Sequence, residues 1–225
     1  MENKLFSTNI KYWLILLVAP LILPSCKNKE EKNLPNNFDY GRYENGVYSN
    51  KFFDLEVFID PNWSVQTTEQ LDNLMKRGQR VIAGDDDNLK AAIDAADVNV
   101  ASLFAAFKHG IGSPETVNPS IMIVAENVSS YSGIKNGEDY LKKAKQLLNQ
   151  GQFHVEFSDE IVQQKIGSVY FYKLEANMSI LDKTITQELY AALIHGFCLS
   201  IAVSYNNESS REEVHEILEN IKIEL

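Results

Sequence analysis

Apolar and polar positions alternate with period two from Phe53 onward: Phe53, Leu55, Val57 and Ile59 interleave with Asp54, Glu56, Phe58 and Asp60. That spacing predicts a half-buried strand, ended by Pro61. The period then changes. Leu71, Leu74, Met75 and Val81 recur at helical spacing, so Thr67 to Ala83 reads as a helix stopped by Gly84. Asp85, Asp86 and Asp87 precede a second helical stretch through Ala96, where acidic residues can cap a helix start and complement its dipole. Val100 to Phe107 and Ile121 to Ala125 read as strands.

Glu138 to Asn149 carries Tyr140, Leu141, Ala144, Leu147 and Leu148 on one helical face, with Gly151 after it. Strands follow at Phe153 to Phe157, Ser168 to Ala176, and a long Thr184 to Tyr205 in which His195-Gly196 marks a hairpin turn. The chain closes on a helix. Ser210-x-x-Glu213 reads as its capping box, and Val214, Ile217, Leu218 and Ile221 supply its apolar face. Strand runs joined by turns, with helices inserted and appended and no regular strand–helix alternation, predict an α+β fold: an antiparallel β-sheet flanked by helices, with a C-terminal helix.

Ahead of the strands the pattern is neither helical nor alternating. Lys4 and Lys11 form a positive leader, and Tyr12 to Leu23 is an apolar run broken by Pro20. That run is shorter than the ~20 residues a membrane-spanning helix needs. Positive, then apolar, then small-residue is the order of a secretory signal peptide. Leu23-Pro24-Ser25-Cys26 resembles the bacterial lipoprotein box. The resemblance implies that the leader (residues 1–25) is removed and that the Cys26 thiol and the new N-terminus are acylated. Such an anchor ties the chain to a membrane, with several acyl chains exceeding the two signals that stable anchoring requires. Residues 26–45, rich in Asn, Lys, Glu and Gly, read as a lipid-anchored flexible tether, leaving residues 46–225 as a single domain. The charged run after Cys26 resembles the export signals of surface lipoproteins. The address is therefore the cell envelope, at a bacterial outer membrane, on its periplasmic or its surface face.

Charge narrows the partners. The whole chain carries −10, and the leader's Lys4, Lys11 and Glu2 sum to +1, so the remainder is more acidic still. With no lysine-rich stripe to offset this, nucleic acid is not an expected partner. Of two cysteines, Cys26 is assigned to the lipid. Cys198, in the apolar run GFCLSIAVSY, reads as a small buried residue.

Several separated segments together resemble a known family. Tyr48, Asn50, Phe53, Leu55, Val57, Ile59, Pro61 and Trp63 form one opening motif, and a strand ends in Glu126. Gly137, Tyr140 and Leu141 start a helix, Gln187-Glu188 opens a long hairpin, and Ser210, Glu213, Ile217 and Leu218 mark the closing helix. The set is similar to the PsbP-like α/β/α sandwich over roughly residues 46–225. That resemblance implies a fold and a binding or assembly role, and it brings no shared catalytic residue with it.

Chemistry read from the residues is sparse. The three aspartates lack the alternating acids, glycine and distal glutamate of a calcium loop. His109, His154, His195 and His215 have no zinc-ligand spacing, His215 is expected on the exposed side of the last helix, and His109 and His195 lie in turns that could approach each other. The segment from His109 to Pro114 is a turn rather than a phosphate loop. Trp63, Tyr43, Tyr48, Phe52, Tyr131 and Tyr170 could contribute to an exposed patch. No catalytic, cofactor or metal residue is assigned. The expected role is a non-catalytic binding or accessory one toward an envelope protein or small ligand. The alternatives are an enzyme using Glu126, Gln187, Glu188 and His195, or a carrier of an apolar or metal ligand.

Overall fold

A computed structural model describes residues 33–110, 113, 117–151, 153–180 and 183–225. The expected signal peptide, Cys26 and the first part of the expected tether lie outside the described residues.

Two antiparallel sheets form. The smaller has the order β1 (Arg42–Glu44), β2 (Val47–Asn50), β3 (Leu55–Phe58) and β12 (Lys222–Ile223). The larger runs β4 (Ser64–Val65), β5 (Val100–Phe107), β6 (Ser120–Asn127), β11 (Phe197–Tyr205), β10 (Lys183–Ile194), β9 (Val169–Ile180) and β7 (Val155–Phe157), with β8 (Val162–Ile166) as a further partner of β9. Helices α1 (Thr68–Ala83), α2 (Asp87–Ala96) and α3 (Gly137–Leu148) pack their apolar residues on one face of this sheet. The C-terminal α4 (Glu208–Glu219) and the small sheet cover the other. The α+β class expected from the pattern, with antiparallel sheets flanked by helices and a helix near the C-terminus, is the one adopted.

Strand alternation distributes the core between the two faces. On β10, Leu189 and Ala191 join the α1–α3 side, while Tyr190, Ala192 and Ile194 join the side of α4 and the small sheet. A bulge between Ser102 and Phe104 in β5 sends both Leu103 and Phe104 to the second side. The β10–β11 hairpin turns on His195 (φ 51°) and Gly196 (φ 82°), the left-handed pair a two-residue turn of this kind requires. Gly137 marks a close approach: a Cβ there would sit 2.0 Å from the Ala191 carbonyl oxygen, so only glycine lets α3 settle on β10.

Several expectations change. The strand at Phe53 to Ile59 does not join the main sheet but pairs with β2 and β12 in a sheet of its own. The tether does not extend to residue 45. Asn33 N–H donates to the Val98 carbonyl (2.6 Å), Leu34 and Phe38 pack against the core, and Arg42–Glu44 pairs with β2. The polar composition concealed this because two apolar side chains and backbone hydrogen bonds suffice to pin the segment. The last helix is capped by Asn207, not Ser210. Asn207 accepts from the Ser210 N–H, and Ser210 Oγ accepts from the Asn207 N–H, so Ser210 is the third helical residue of the box. Asp86 caps α2, accepting from the Asn88 and Leu89 N–H groups, while Asp87 pairs with Lys90.

Candidate functional site: a cleft beside the C-terminal helix

The turn Asp60-Pro61-Asn62-Trp63 closes through Trp63 N–H to the Asp60 carbonyl (2.9 Å), and the Asp60 carboxylate accepts from Asn62 N–H (2.7 Å). This places the half-buried Trp63 indole between the small sheet and the large one. Opposite it, Glu213, Glu216, Ile217 and Asn220 descend one side of α4. Between them lies an open cleft of about 820 Å³, also lined by Phe58, Asp60, Lys108 and His109. Lys108 Nζ donates to Glu213, joining the end of β5 to α4 across the cleft. His109 is held by its neighbour Asn118, which accepts from the His109 N–H and donates to its carbonyl. Apolar rings on one wall and a rim of three carboxylates suit a ligand with an apolar body and a hydrogen-bonding or cationic edge.

Beneath the other side of α4 sits a buried carboxylate. Glu188, 1% exposed, accepts from Lys173 Nζ (2.7 Å) and Tyr205 Oη (3.1 Å) through Oε1, and from Tyr190 Oη (2.5 Å) and His215 Nε2 (2.9 Å) through Oε2. Burial raises its pKa. The hydrogen bonds from Lys173 and Tyr190 and the nearby charges of Lys173 and His215 outweigh this and hold it below the ordinary carboxylate range. The Tyr190 and Tyr205 hydroxyls are pushed up, by burial first and by Glu188 next. His215 is thus half-buried against the sheet, not exposed as expected, because α4 turns that side toward β10.

On the opposite sheet face Glu126 is 1% exposed and accepts from Tyr140 Oη at 2.9 Å. Burial first, and then the Glu126 charge, keep the Tyr140 hydroxyl well above its usual pKa. Cys198 is fully buried and its thiol is pushed up by burial.

The four residues of the enzyme alternative are not brought together. Glu126 and Gln187 face α1–α3, Glu188 faces α4, and His195 sits in an exposed turn with Nδ1 3.1 Å from the Phe52 carbonyl oxygen. His109 and His195 lie at opposite ends of the sheet: His109 follows the Phe107–Ser120 pair, and His195 adjoins the Phe197–Asn127 pair. The aromatic patch is also dispersed. Tyr48 and Tyr131 are buried, Phe52 and Trp63 pack on the core, and Tyr170 stands alone on the β8–β9 hairpin with Lys165 over its ring. The cleft itself was hidden in the sequence, since its walls come from residues more than 150 positions apart. The one signal was the Asp-Pro-Asn-Trp turn.

No protein-family profile matches the chain, and none of the curated proteins matches it. Solved structures with a similar outline include LpqN of Mycobacterium tuberculosis, described as involved in cell envelope biogenesis, at a TM-score of 0.44 and 12% identity, covering 76% of this chain and 83% of that one. A Bacteroides thetaiotaomicron protein gives a TM-score of 0.42 and 11% identity over 76% of this chain, which spans 45% of the length of that one. The cyanobacterial PsbP of Synechocystis gives 0.45 and 9% identity, covering 79% and 91%. At these identities and TM-scores the likenesses assign this chain neither a family nor an activity.

Proposed function

We propose that this is a lipid-anchored cell-envelope protein, tied to a bacterial outer membrane through Cys26, whose PsbP-like body holds a protein or small ligand in a non-catalytic, accessory role. The observation that carries the binding role is the open cleft beside α4, where Trp63 and Phe58 stand among Asp60, Lys108, His109, Glu213 and Glu216. The anchor rests on the leader and the box ending in Cys26. The best-organised titratable cluster favours a structural task. Each oxygen of Glu188 is already committed to two donors, so the group ties α4 to the sheet rather than meeting a substrate.

Two measurements test the halves separately. Mass spectrometry of the mature N-terminus is expected to find an acylated Cys26, and an unmodified peptide beginning elsewhere ends the anchor reading. For the cleft, a photoreactive residue at exposed Asn62 should capture a discrete envelope component in the producing cells, while one at exposed Gln163 on β8 should not. Equal capture at both positions, or none at Asn62, overturns the binding reading.

A further inference from the structure

The body has two unlike ends. At one, Asn33 is fixed by three hydrogen bonds: its N–H donates to the Val98 carbonyl, its side chain donates to Asn99 Oδ1 (3.0 Å), and its carbonyl accepts from Asn127 Nδ2 (2.9 Å). The β6–α3 loop and the β10–β11 turn gather at this same end, where Val128 N–H donates to the Gly196 carbonyl and His195 reaches the Phe52 carbonyl. The segments that form it are Asn33–Phe38, Asn127–Gly133, His195-Gly196 and Phe52, and none contains an aspartate or glutamate. In a chain of net charge −10 that is a local exception. Carboxylates do stand at its margin: Asp39, occupied by the Gly41 and Lys51 N–H groups, the exposed Asp54 two residues after Phe52, Asp139 at the start of α3, which accepts from the Lys135 N–H, and the half-buried Asp97. The cleft, with Asp60, Glu213 and Glu216, lies toward the other end, beside Lys108 and His109.

We propose that the Asn33 end, built by Asn33–Phe38, the Asn127–Gly133 loop and the His195-Gly196 turn, is a docking face for the lipid surface, which holds the cleft at the membrane-distal end. The inference rests on the anchor at Cys26 proposed above, and it adds an orientation. Seven residue steps link Cys26 to the pinned Asn33, a reach of at most about 25 Å fully extended and about 15 Å as a flexible coil. Strand β6 alone carries the chain about 27 Å from the docking end to the cleft end. A lipid on so short a leash delivers the Asn33 end to the bilayer first. Charge does not oppose this face, because the segments nearest the anchor carry no carboxylate of their own, whereas the cleft end gathers Asp60, Glu213 and Glu216.

Trp63 lies in the cleft and the chain's other tryptophan, Trp13, is in the leader, so cleavage leaves a single indole as a reporter. Natively lipidated protein is placed in phosphatidylcholine vesicles containing a headgroup-tethered nitroxide, and indole quenching is read. A second variant, Trp63→Phe with exposed Ser130→Trp, moves the indole to the docking face, and Trp63→Phe with exposed Ser132→Trp repeats the test if the first variant folds poorly. The expected result is quenching several-fold stronger at position 130 or 132 than at 63. Equal quenching at both ends, stronger quenching at 63, or none at either overturns the docking face. If mass spectrometry finds Cys26 unmodified, the anchor reading fails by itself. The orientation is then tested on leaderless protein coupled to maleimide phospholipid at Cys26, since Cys198 is fully buried and does not compete.

Discussion

Gln187 and Glu188 are neighbours in the chain and strangers in the fold. Gln187 points to the face covered by α1–α3, donates to Ser204 Oγ (2.9 Å) and leaves its own side-chain oxygen without a partner. Glu188 points to the face covered by α4 and is ringed by four donors, two of them from cationic residue types. The other carboxylate buried in this sheet, Glu126, belongs to Gln187's face and takes a tyrosine hydroxyl. The comparison teaches that one sheet keeps two kinds of buried polar group. On the helix-rich face Glu126 and Gln187 are met by the hydroxyls of Tyr140 and Ser204 inside a packed core. On the α4 face a carboxylate paired with a strand lysine also takes a hydrogen bond from His215 of α4, and that helix is also a wall of the cleft.

If this division holds, the largest effect comes from removing the cation. Lys173→Met leaves Glu188 buried without its ammonium partner, and breaking such a pair costs about 3–5 kcal/mol. With the Lys173 side chain 18% exposed, water relieves part of the loss and the lower end of that range is expected in urea unfolding. A cost under about 1 kcal/mol, the size of an exposed pair, would erase the contrast between the faces. The same interaction sets a pH dependence. Glu188 has a folded pKa below its ordinary 4.5, so the unfolded chain binds its proton more readily. Its stabilisation is therefore complete above about 4.5 and is lost as pH falls through the lower folded value. Urea midpoints measured downward from pH 6 should fall less steeply in Glu188→Gln than in the parent. An unchanged slope would remove Glu188 from the acid response.

On the other face Tyr140→Phe deletes one donor to Glu126 and keeps the ring. The expected loss is about 1–3 kcal/mol, the usual cost of leaving a buried acceptor short of its bond. The measurement is again urea unfolding, and a larger loss than for Lys173→Met would reverse the ranking of the two faces.

Much of the architecture was legible because periodicity reports burial directly. Helices α1, α2 and α3, the main-sheet strands β5, β6, β7, β9, β10 and β11, and the His195-Gly196 turn follow from spacing and turn chemistry. What escaped detection was short or carried by few residues. Strand β12 has two residues, β1 is exposed throughout, and β8 reads as polar because most of its side chains meet solvent. Sites were less legible than elements. Lys173, Glu188, Tyr205 and His215 meet through register and helix docking, and neither leaves a local mark. His215 looked exposed because its own helix shows only that it is off the main apolar stripe. Whether that side meets water or a buried carboxylate depends on what α4 lies against.

The smallest expected effect separates the two faces by their helix caps. Asp86 satisfies two N–H groups of α2 on the first face, at 2.9 Å and 3.0 Å, while Asn207 and Ser210 cap α4 reciprocally on the second. Replacing a capping side chain by alanine costs about 1 kcal/mol, within a range of 0.5–2. Asp86→Ala and Asn207→Ala should therefore lower stability by similar amounts, and the difference between them should appear in hydrogen exchange. Helix α4 is tied independently by His215 to Glu188 and by Glu213 to Lys108, so its amides should stay protected when its cap is lost. Helix α2 is held to the sheet by the packing of Leu89 and Ile93, and its Asp87–Lys90 ion pair lies within the helix itself. Its first-turn amides should exchange about fivefold faster for each kcal/mol of local stability removed, since 1.4 kcal/mol is a factor of ten. Calcium provides a control, because a cation bound by Asp85 to Asp87 only in the folded state would raise the melting temperature of the parent and not of a triple Asn variant. The capping role predicts no such rise. Faster exchange throughout α4 in Asn207→Ala, with α2 unmoved in Asp86→Ala, would place the weaker attachment on the face that carries the ion pair and so overturn the comparison.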